Sequence, residues 1–467
     1  MVERFDLAVI GSGSAAFAAA IKASDLGANV AMIEKGTLGG TCVNVGCVPS
    51  KHLLTMGDIL YYSSRNGFNG LTIPDGSLEF GRIILQKQRL VNELRQKKYV
   101  DVIESLSNAT LLKGTAKFIS SHTLELNGGK VQAEKFVVAT GSSTTILPIE
   151  GIDKVHYLTN IEALDLKNLP ESMIVIGGGP LGLEFAQMYA HLGTKVTVFE
   201  LMSRILPNDE PEVSEALTEI LADEGIQIFT SSTVTRVGNR GSRKLIQARV
   251  NGKLRAVKAE ELLLAAGRRP NTKDMGLETV GVNLARNGAI IVNQEMQTSV
   301  PHIYAAGDAI GEPMLETAAA KEGAIAAENA LTDAGRKMDF SAVPSAVFTN
   351  PQVASVGMTE KQFMEKYHTC ACRTLPMSSV PKAAVINDYR GLIKMVIHPK
   401  TKQIVGVHMV CENAADIIHE AVLAVKFRLT IDDIIDTVHN FPTLAESIKL
   451  VAQSFYRDVD KMSCCIE

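Results

Sequence analysis

No run of this 467-residue chain approaches the ~20 consecutive apolar residues that a membrane helix needs, so membrane insertion is not expected. Charge of one sign is also lacking: 47 Lys and Arg stand against 51 Asp and Glu, a formal balance of −4 spread along the chain. That balance leaves no electrostatic footprint for nucleic acid. The compact basic run Arg95-Gln96-Lys97-Lys98 lies in a strongly charged helical stretch and reads as a solvated face. The opening Met1-Val2-Glu3-Arg4-Phe5-Asp6 shows no charged-then-apolar signal pattern, which gives the expectation of a cytoplasmic protein. Seven cysteines, an odd number at irregular spacings, do not make a structural disulfide framework; in a reducing compartment they point to a catalytic pair. There is no low-complexity tract and no short repeat, and the length calls for about three or four domains.

What the chain does contain is one pattern written twice. Residues 4–10 (RFDLAVI) form a short apolar strand running into Gly11-Ser12-Gly13-Ser14-Ala15-Ala16, followed by an Ala-rich helical stretch and a second strand ending at Glu34. This is the strand, glycine turn, helix and strand that binds a dinucleotide. Gly11 makes the tight turn, Gly13 lets the pyrophosphate approach, the helix N-terminus faces its charge, and Glu34 accepts from a ribose hydroxyl. Residues 173–200 repeat it with Gly177, Gly179, Gly182 and a closing Glu200. One glycine motif is a weak signal, but two complete units with correctly placed acids are a strong one. The first unit is interrupted by an insertion over roughly 40–120 and resumes at FVVATGS (136–142), which carries Thr140 and Gly141. The second closes with LLLAAGRRPN (262–271), which carries Gly267 and Arg268; TSVPHIYAAGDAI (298–310) then delivers Asp308 after Gly307 at a turn suited to a cofactor sugar. From about Ser345 the texture changes to β-rich segments and amphipathic helices such as 416–427, the pattern of a packing and association domain.

Thiols supply the chemistry. Cys42 and Cys47 in GGTCVNVGCVPSK are expected on a loop entering the helix HLLTMGDILYY. Their spacing closes a small ring, Gly46 eases the turn, and the helix N-terminus lowers a thiol pKa. A flavin takes hydride from a nicotinamide and passes two electrons to such a pair, whereas without a cofactor the two cysteines would read equally well as apolar packing. A second pair, Cys464 and Cys465, stands in MSCCIE. Cys370 and Cys372 form a C-x-C on one face of an expected strand and read as small packing residues, although two thiols on one face could bind metal; Cys411 reads as buried strand packing.

On CVNVGC, the ATG strand, the paired glycine motifs and YAAGD, nearly the whole chain resembles the pyridine nucleotide–disulfide oxidoreductases, the family of glutathione reductase and dihydrolipoamide dehydrogenase. The resemblance implies an α/β fold of two Rossmann-like dinucleotide-binding domains, for FAD and NAD(P), plus a C-terminal α+β dimerisation domain. The division expected is 1–150 (first part of the FAD domain), 151–273 (NAD(P)), 274–343 (completion of the FAD domain) and 344–467 (dimerisation). It implies a homodimer with shared active sites. It adds Ala16, Lys35, Gly40 and Thr41 to the cofactor-binding residues, makes Cys47 the thiolate against the flavin and Cys42 the exchange thiol, and puts Lys51 and Glu184 at positions that pair near the flavin.

The family's disulfide-reducing members carry a His-Pro-Thr motif whose histidine, with a downstream Glu, manages protons. Here His439-Asn440-Phe441-Pro442-Thr443 puts Phe441 at that histidine, while Glu446 remains. Phenylalanine transfers no proton, so organic disulfides are disfavoured, and His439 reads as a packing or dimer-contact residue. The tail resembles the Ser-Cys-Cys ending of the members that reduce mercuric ion. That implies Hg(II) as substrate, carried as thiol complexes, handed from Cys464 and Cys465 of the partner subunit to Cys42 and Cys47 and reduced to Hg(0), a detoxification. The alternatives are a dihydrolipoamide dehydrogenase-like enzyme and a metal-buffering flavoprotein. NADH and NADPH both stay open: Glu200 favours NADH, while nearby Arg204 could meet a 2′-phosphate.

Overall fold

The computed structural model describes residues 3–74 and 76–461, which fall into two compact units. The first comprises the chain up to His52 with Gly81–Thr145 and Gly267–Asp339; the second comprises Leu53–Phe80, Ile146–Ala266 and the chain from Phe340.

The first unit is built on a seven-stranded sheet. Strand β1 (Glu3–Ile10) lies parallel between β2 (Val30–Glu34) and the strand Gly129–Val138, with Ala109–Lys113 beyond β2 and Ile303–Ala305 beside Gly129–Val138. Leu7, Ala8 and Val9 and Val30, Ala31 and Met32 are fully buried, as strands covered on both faces must be. Helix α1 (Ser14–Asp25) buries Ala15, Ala16, Ala19, Ala20 and Ala23 and packs on the helix Glu316–Thr332, which answers with Ala318, Ala319, Ala326 and Ala327. A Cβ at Gly323 would stand 2.0 Å from the Ala15 carbonyl oxygen, so these helices approach to backbone contact and only small residues fit between them.

The same logic recurs in the second unit. Strand β3 (Ser172–Ile176), helix α4 (Pro180–His191) and strand β4 (Lys195–Phe199) form a parallel core, flanked by Gln227–Phe229 and Glu261–Leu264. Pro180 opens α4 where its missing N–H has no helical partner to lose. This unit also holds a five-stranded antiparallel sheet in the order Ser345–Val347, Gln352–Gly357, Ile404–Cys411, Leu392–Ile397, Ala371–Pro376. The helix Ala414–Phe427 covers it through Ile418, Ala421 and Ala424 and leaves Leu423 and Phe427 exposed. The expected α/β class is therefore observed. Among the described residues no helix is long and apolar enough to cross a membrane.

One buried cation ties this sheet to helical segments of the same unit. Lys394 is 1 % exposed, and its Nζ lies 3.1 Å from Glu210, 2.8 Å from Glu212 and 2.7 Å from Glu360. Removing one member of a buried ion cluster leaves the others uncompensated. Lys394→Met is expected to lower unfolding stability by about 3–5 kcal/mol, read from the denaturant midpoint, and a loss under ~1 kcal/mol would contradict that account.

Candidate active site

Cys42 lies in a short helix, Gly40–Val45, and Cys47 opens α3 (Cys47–Ser64), with Gly46 alone breaking the run. The loop expected here is thus mostly helical, and α3 starts five residues before His52. Pro49 permits this because the first turn's N–H groups have no helical acceptor anyway. Asn44 fixes the turn, donating to the Leu38 and Gly40 carbonyls at 2.9 and 2.8 Å and accepting from Arg95 at 3.0 Å.

Both cysteines are free, and the Cys42 thiol hydrogen-bonds Cys47. That single bond separates two chemically identical groups. It is the main cause of a lowered pKa at Cys47, and Lys51, one turn further along α3, adds attraction against partial burial and Glu316. The proton is held on Cys42, whose pKa rises because its S–H is the donor and because it is half-buried. Cys47 also stands at the helix N-terminus, where anions are favoured. Sequence reasoning missed two neighbours, Glu316 and Tyr99. Tyr99 is pushed up to about 12 by burial, with Cys42 and Glu316 contributing; it hydrogen-bonds Ser14 and meets Phe17 edge-on at 4.9 Å. Neither has a motif, since each reaches the thiols only through tertiary packing.

The first glycine turn fits a dinucleotide. Gly11 has φ +122°, and a Cβ there would stand 2.2 Å from the Ala139 carbonyl oxygen. At Gly13 the space is open, the nearest atom being the Gly40 Cα at 3.9 Å. Helix α1 has no side-chain cap and no acid in its first turn, so its amides are free to meet a pyrophosphate; Ala16 is buried behind them. Glu34 is folded back over the turn, accepting from Ser12 Oγ and Gly36 N–H at 2.5 Å each, and Lys35 and Thr41 are exposed. Thr140 and Gly141 are tied to Asn271, through Thr140 Oγ1 to the Asn271 carbonyl at 2.8 Å and Asn271 N–H to the Gly141 carbonyl at 2.9 Å. Asp308 accepts from Ser142, which in turn accepts from Arg268 Nε at 2.7 Å; Arg268 lies 3.8 Å from Asp308. Gly267 accepts from the Thr145 N–H, and Gly307 N–H is held at 2.7 Å by the fully buried Glu322, whose pKa burial raises to about 6. Gly267, Arg268, Gly307 and Asp308 thus sit in the same unit as the thiols.

The second turn repeats the arrangement. Gly177 has φ +117°, α4 is uncapped with open space at Gly179, and Gly182 packs against the Gly177 carbonyl. Glu200, buried, accepts from Gly178 N–H at 2.6 Å and Met202 N–H at 2.7 Å. Arg204 turns away, donating to the Pro207 and Asp209 carbonyls at 2.8 and 3.1 Å. Glu184 is no surface charge: it is buried on α4 and accepts the Phe348 N–H at 2.9 Å.

Toward the C-terminus, Phe441 is 56 % exposed and His439 pairs with Glu420 at 2.9 Å. Glu446 is half-buried with its pKa raised by burial, and its Oε2 has no partner among the described residues. Cys464 and Cys465 lie outside the described residues.

Two family descriptions match the chain: pyridine nucleotide-disulphide oxidoreductase over residues 5–323, and the dimerisation domain of the same family over 343–452. The chain belongs to the pyridine nucleotide-disulphide oxidoreductases, and it is an oxidoreductase that uses FAD and a pyridine nucleotide. It is similar to the mercuric reductase of Lysinibacillus sphaericus, at 43% identity over 99% of this chain and 85% of the relative. It is also similar to that of Streptomyces lividans, at 41% over 99% and 98%. Among solved structures it resembles the Cu(II) complex of the HOCl-induced flavoprotein disulfide reductase RclA from Escherichia coli, with TM-score 0.87, 28% identity, and coverage of 98% of this chain and 100% of that one.

The hydrogen bond between the thiols makes a testable claim. In the reduced enzyme, thiolate absorbance in the ultraviolet at pH below the ordinary cysteine value of about 8.5 should disappear in Cys47→Ser and persist in Cys42→Ser, which keeps a donor. Cys42→Ala removes that donor and should move the thiolate's titration upward. Equal thiolate signals in the two serine variants would contradict the asymmetry.

Proposed function

We propose that this enzyme reduces Hg(II) to Hg(0) at the Cys42/Cys47 pair. The carrying observation is that pair, with its proton held on Cys42 and its negative charge favoured at Cys47, in a chain whose near-full-length relatives bear the name mercuric reductase. Soft thiolates bind Hg(II) preferentially and exchange it by attack of one thiolate as another leaves. Cys47 supplies the first attacking thiolate, Cys42 loses its proton as it becomes the second ligand, and the two carrier thiolates leave as thiols. FAD, which the Gly11–Gly13 turn and Glu34 would hold, would supply the path for two electrons from the nicotinamide to this pair. The balance is NAD(P)H, one proton and Hg(SR)2 giving NAD(P)+, Hg(0) and two RSH. Lys51 steadies the anionic sulfur. Phe441 and the engaged His439 supply no free imidazole for an organic thiol, which counts against dihydrolipoamide-type exchange.

Delivery from Cys464 and Cys465 of the partner subunit is part of this reading. Its support is the dimerisation domain, which carries the exposed apolar Leu423, Phe427 and Phe441. NADH is the favoured nucleotide, because Glu200 meets a ribose diol but repels a 2′-phosphate and Arg204 is committed to backbone carbonyls.

With FAD, excess thiol and Hg(II), nucleotide oxidation should match trapped mercury vapour, with lipoamide and oxidised glutathione as poor substrates. Nucleotide oxidation driven by lipoamide without mercury vapour would overturn the reading. Cys464→Ala with Cys465→Ala should cut turnover of thiol-chelated Hg(II) by about tenfold or more; unchanged turnover would refute the hand-off. In the same assay kcat/KM should favour NADH, and Glu200→Ala should erode that preference by roughly tenfold. A native preference for NADPH would refute the assignment.

A further inference from the structure

Cys370 and Cys372 take no part in the chemistry above, and their surroundings are not those of packing cysteines. Cys370 immediately precedes the strand Ala371–Pro376, and Cys372 lies within it opposite Val396. Both are half-buried. The Cys370 thiol lies 3.6 Å from Glu360 Oε1, the Cys372 thiol hydrogen-bonds the same carboxylate, and the two thiols hydrogen-bond each other. Glu360 cannot swing away: its other oxygen is fixed 2.7 Å from the buried Lys394, and its N–H donates to Glu210 at 2.5 Å. Cys411 is the contrast. It is 1 % exposed in the sheet's apolar core, with the Met409 sulfur 4.0 Å away.

We propose that Cys370 and Cys372 form a second soft-metal site, a two-coordinate dithiolate anchored in its empty state by Glu360. The coordination number follows from the surroundings. Among the described residues no group of three or more His, Cys, Asp or Glu side chains is arranged to hold a metal, so a four-ligand zinc site is not built here. A soft ion that accepts two nearly collinear sulfurs needs no third ligand. Spacing favours such an ion over a disulfide. Residues two apart on an extended strand have Cα atoms roughly 6.6–6.8 Å apart, at the upper limit of disulfide geometry. A bridging metal asks only for a sulfur separation of roughly 4.6 Å, twice the ~2.3 Å of a zinc–sulfur bond.

Binding is ligand exchange without electron transfer. Two S–H bonds break, two S–metal bonds form, and the two protons leave with the displaced carrier thiols. The half-buried site beside a carboxylate keeps both thiols protonated: Cys370 is raised by burial and Glu360, and Cys372 is pushed up to about 11 by the same causes. Both therefore rest as neutral thiols that a soft ion can deprotonate. The inference stands whether or not the chain reduces Hg(II) at Cys42 and Cys47.

The test uses the full FAD-loaded chain carrying Cys42→Ala, Cys47→Ala, Cys464→Ala and Cys465→Ala. After anaerobic equilibration with HgCl2 and desalting, about one Hg per chain should be retained, and added Cys370→Ser with Cys372→Ser should bring retention to background. Zn(II) in place of Hg(II) should not be retained. No retention before the serine substitutions, or retention that survives them, would overturn the proposal. The unsubstituted protein gives an independent measurement: prior Hg(II) should protect Cys370 and Cys372 from maleimide, read by peptide mass spectrometry, and unprotected labelling would overturn it equally. Cys370→Ser with Cys372→Ser alone should leave Hg(II)-dependent nucleotide oxidation unchanged, which separates this site from the Cys42/Cys47 reading.

Discussion

A thiol made more acidic than usual must be given a donor and positive surroundings, and the first unit gives both to Cys47 within a few residues of chain. Cys42 donates, Lys51 attracts, and the start of α3 adds its amides. The arrangement requires that two helices meet at a single residue. Had Gly46 continued the helix, Cys42 and Cys47 would lie five residues apart on one helix, about 100° × 5 around its axis and on different faces. A Cβ at Gly46 would stand 2.9 Å from the Thr41 carbonyl oxygen, so the glycine lets the turn close upon itself. The pair's polarity is thus a consequence of backbone geometry before it is a matter of side chains.

The two nucleotide turns show the same constraint at work on a different ligand. Each leaves a helix start uncapped with its amides open, and each holds an acid by backbone N–H groups beside that turn. Leaving a helix uncapped forgoes roughly 1 kcal/mol of capping. The surroundings offset it: α1 is held by alanine-to-alanine packing against Glu316–Thr332, and α4 is buried over most of its length. The two acids differ in detail. Glu34 is supported partly by a serine hydroxyl, whereas Glu200 is buried and bound only by main-chain donors. The second pocket is therefore the more rigidly negative of the two.

Much of this was legible in the sequence, because glycine turns, closing acids and a C-x4-C pair are local patterns with local physical causes. The strand beginning near Arg4, the helices after Gly13 and Gly179, and the strand delivering Asp308 stand where the patterns put them. The segment around the thiols is mostly helical where a loop is expected, because Pro49 falls in the one helical turn that tolerates it and Gly46 alone interrupts the run. Tyr99, Glu316 and Glu322 were invisible for another reason. Each acts on residues distant in sequence, and no spacing rule announces a side chain brought in by tertiary packing. Lys394 and Glu360 likewise belong to no motif, and only the folded sheet buries one and anchors the other.

The described thiol pairs share a ligand chemistry but differ in that the first has one thiol, Cys47, made more acidic, whereas both thiols of the second are made less so, and that difference bears on how a soft ion moves. An ion held by two thiolates leaves at a useful rate only when a third thiolate attacks. Cys47 presents its sulfur as an anion favoured by Cys42 and Lys51, so it is equipped to attack. Cys370 and Cys372 are protonated beside a fixed carboxylate and must first surrender protons, so they acquire an ion more slowly. Carboxylate and cation therefore act in opposite senses on the same functional group. At Cys47 the donor thiol and Lys51 outweigh Glu316, whereas at Cys370 and Cys372 burial and Glu360 outweigh Lys394. The two pairs thus differ in how readily a sulfur attacks a carried ion, a difference set by their fixed neighbours.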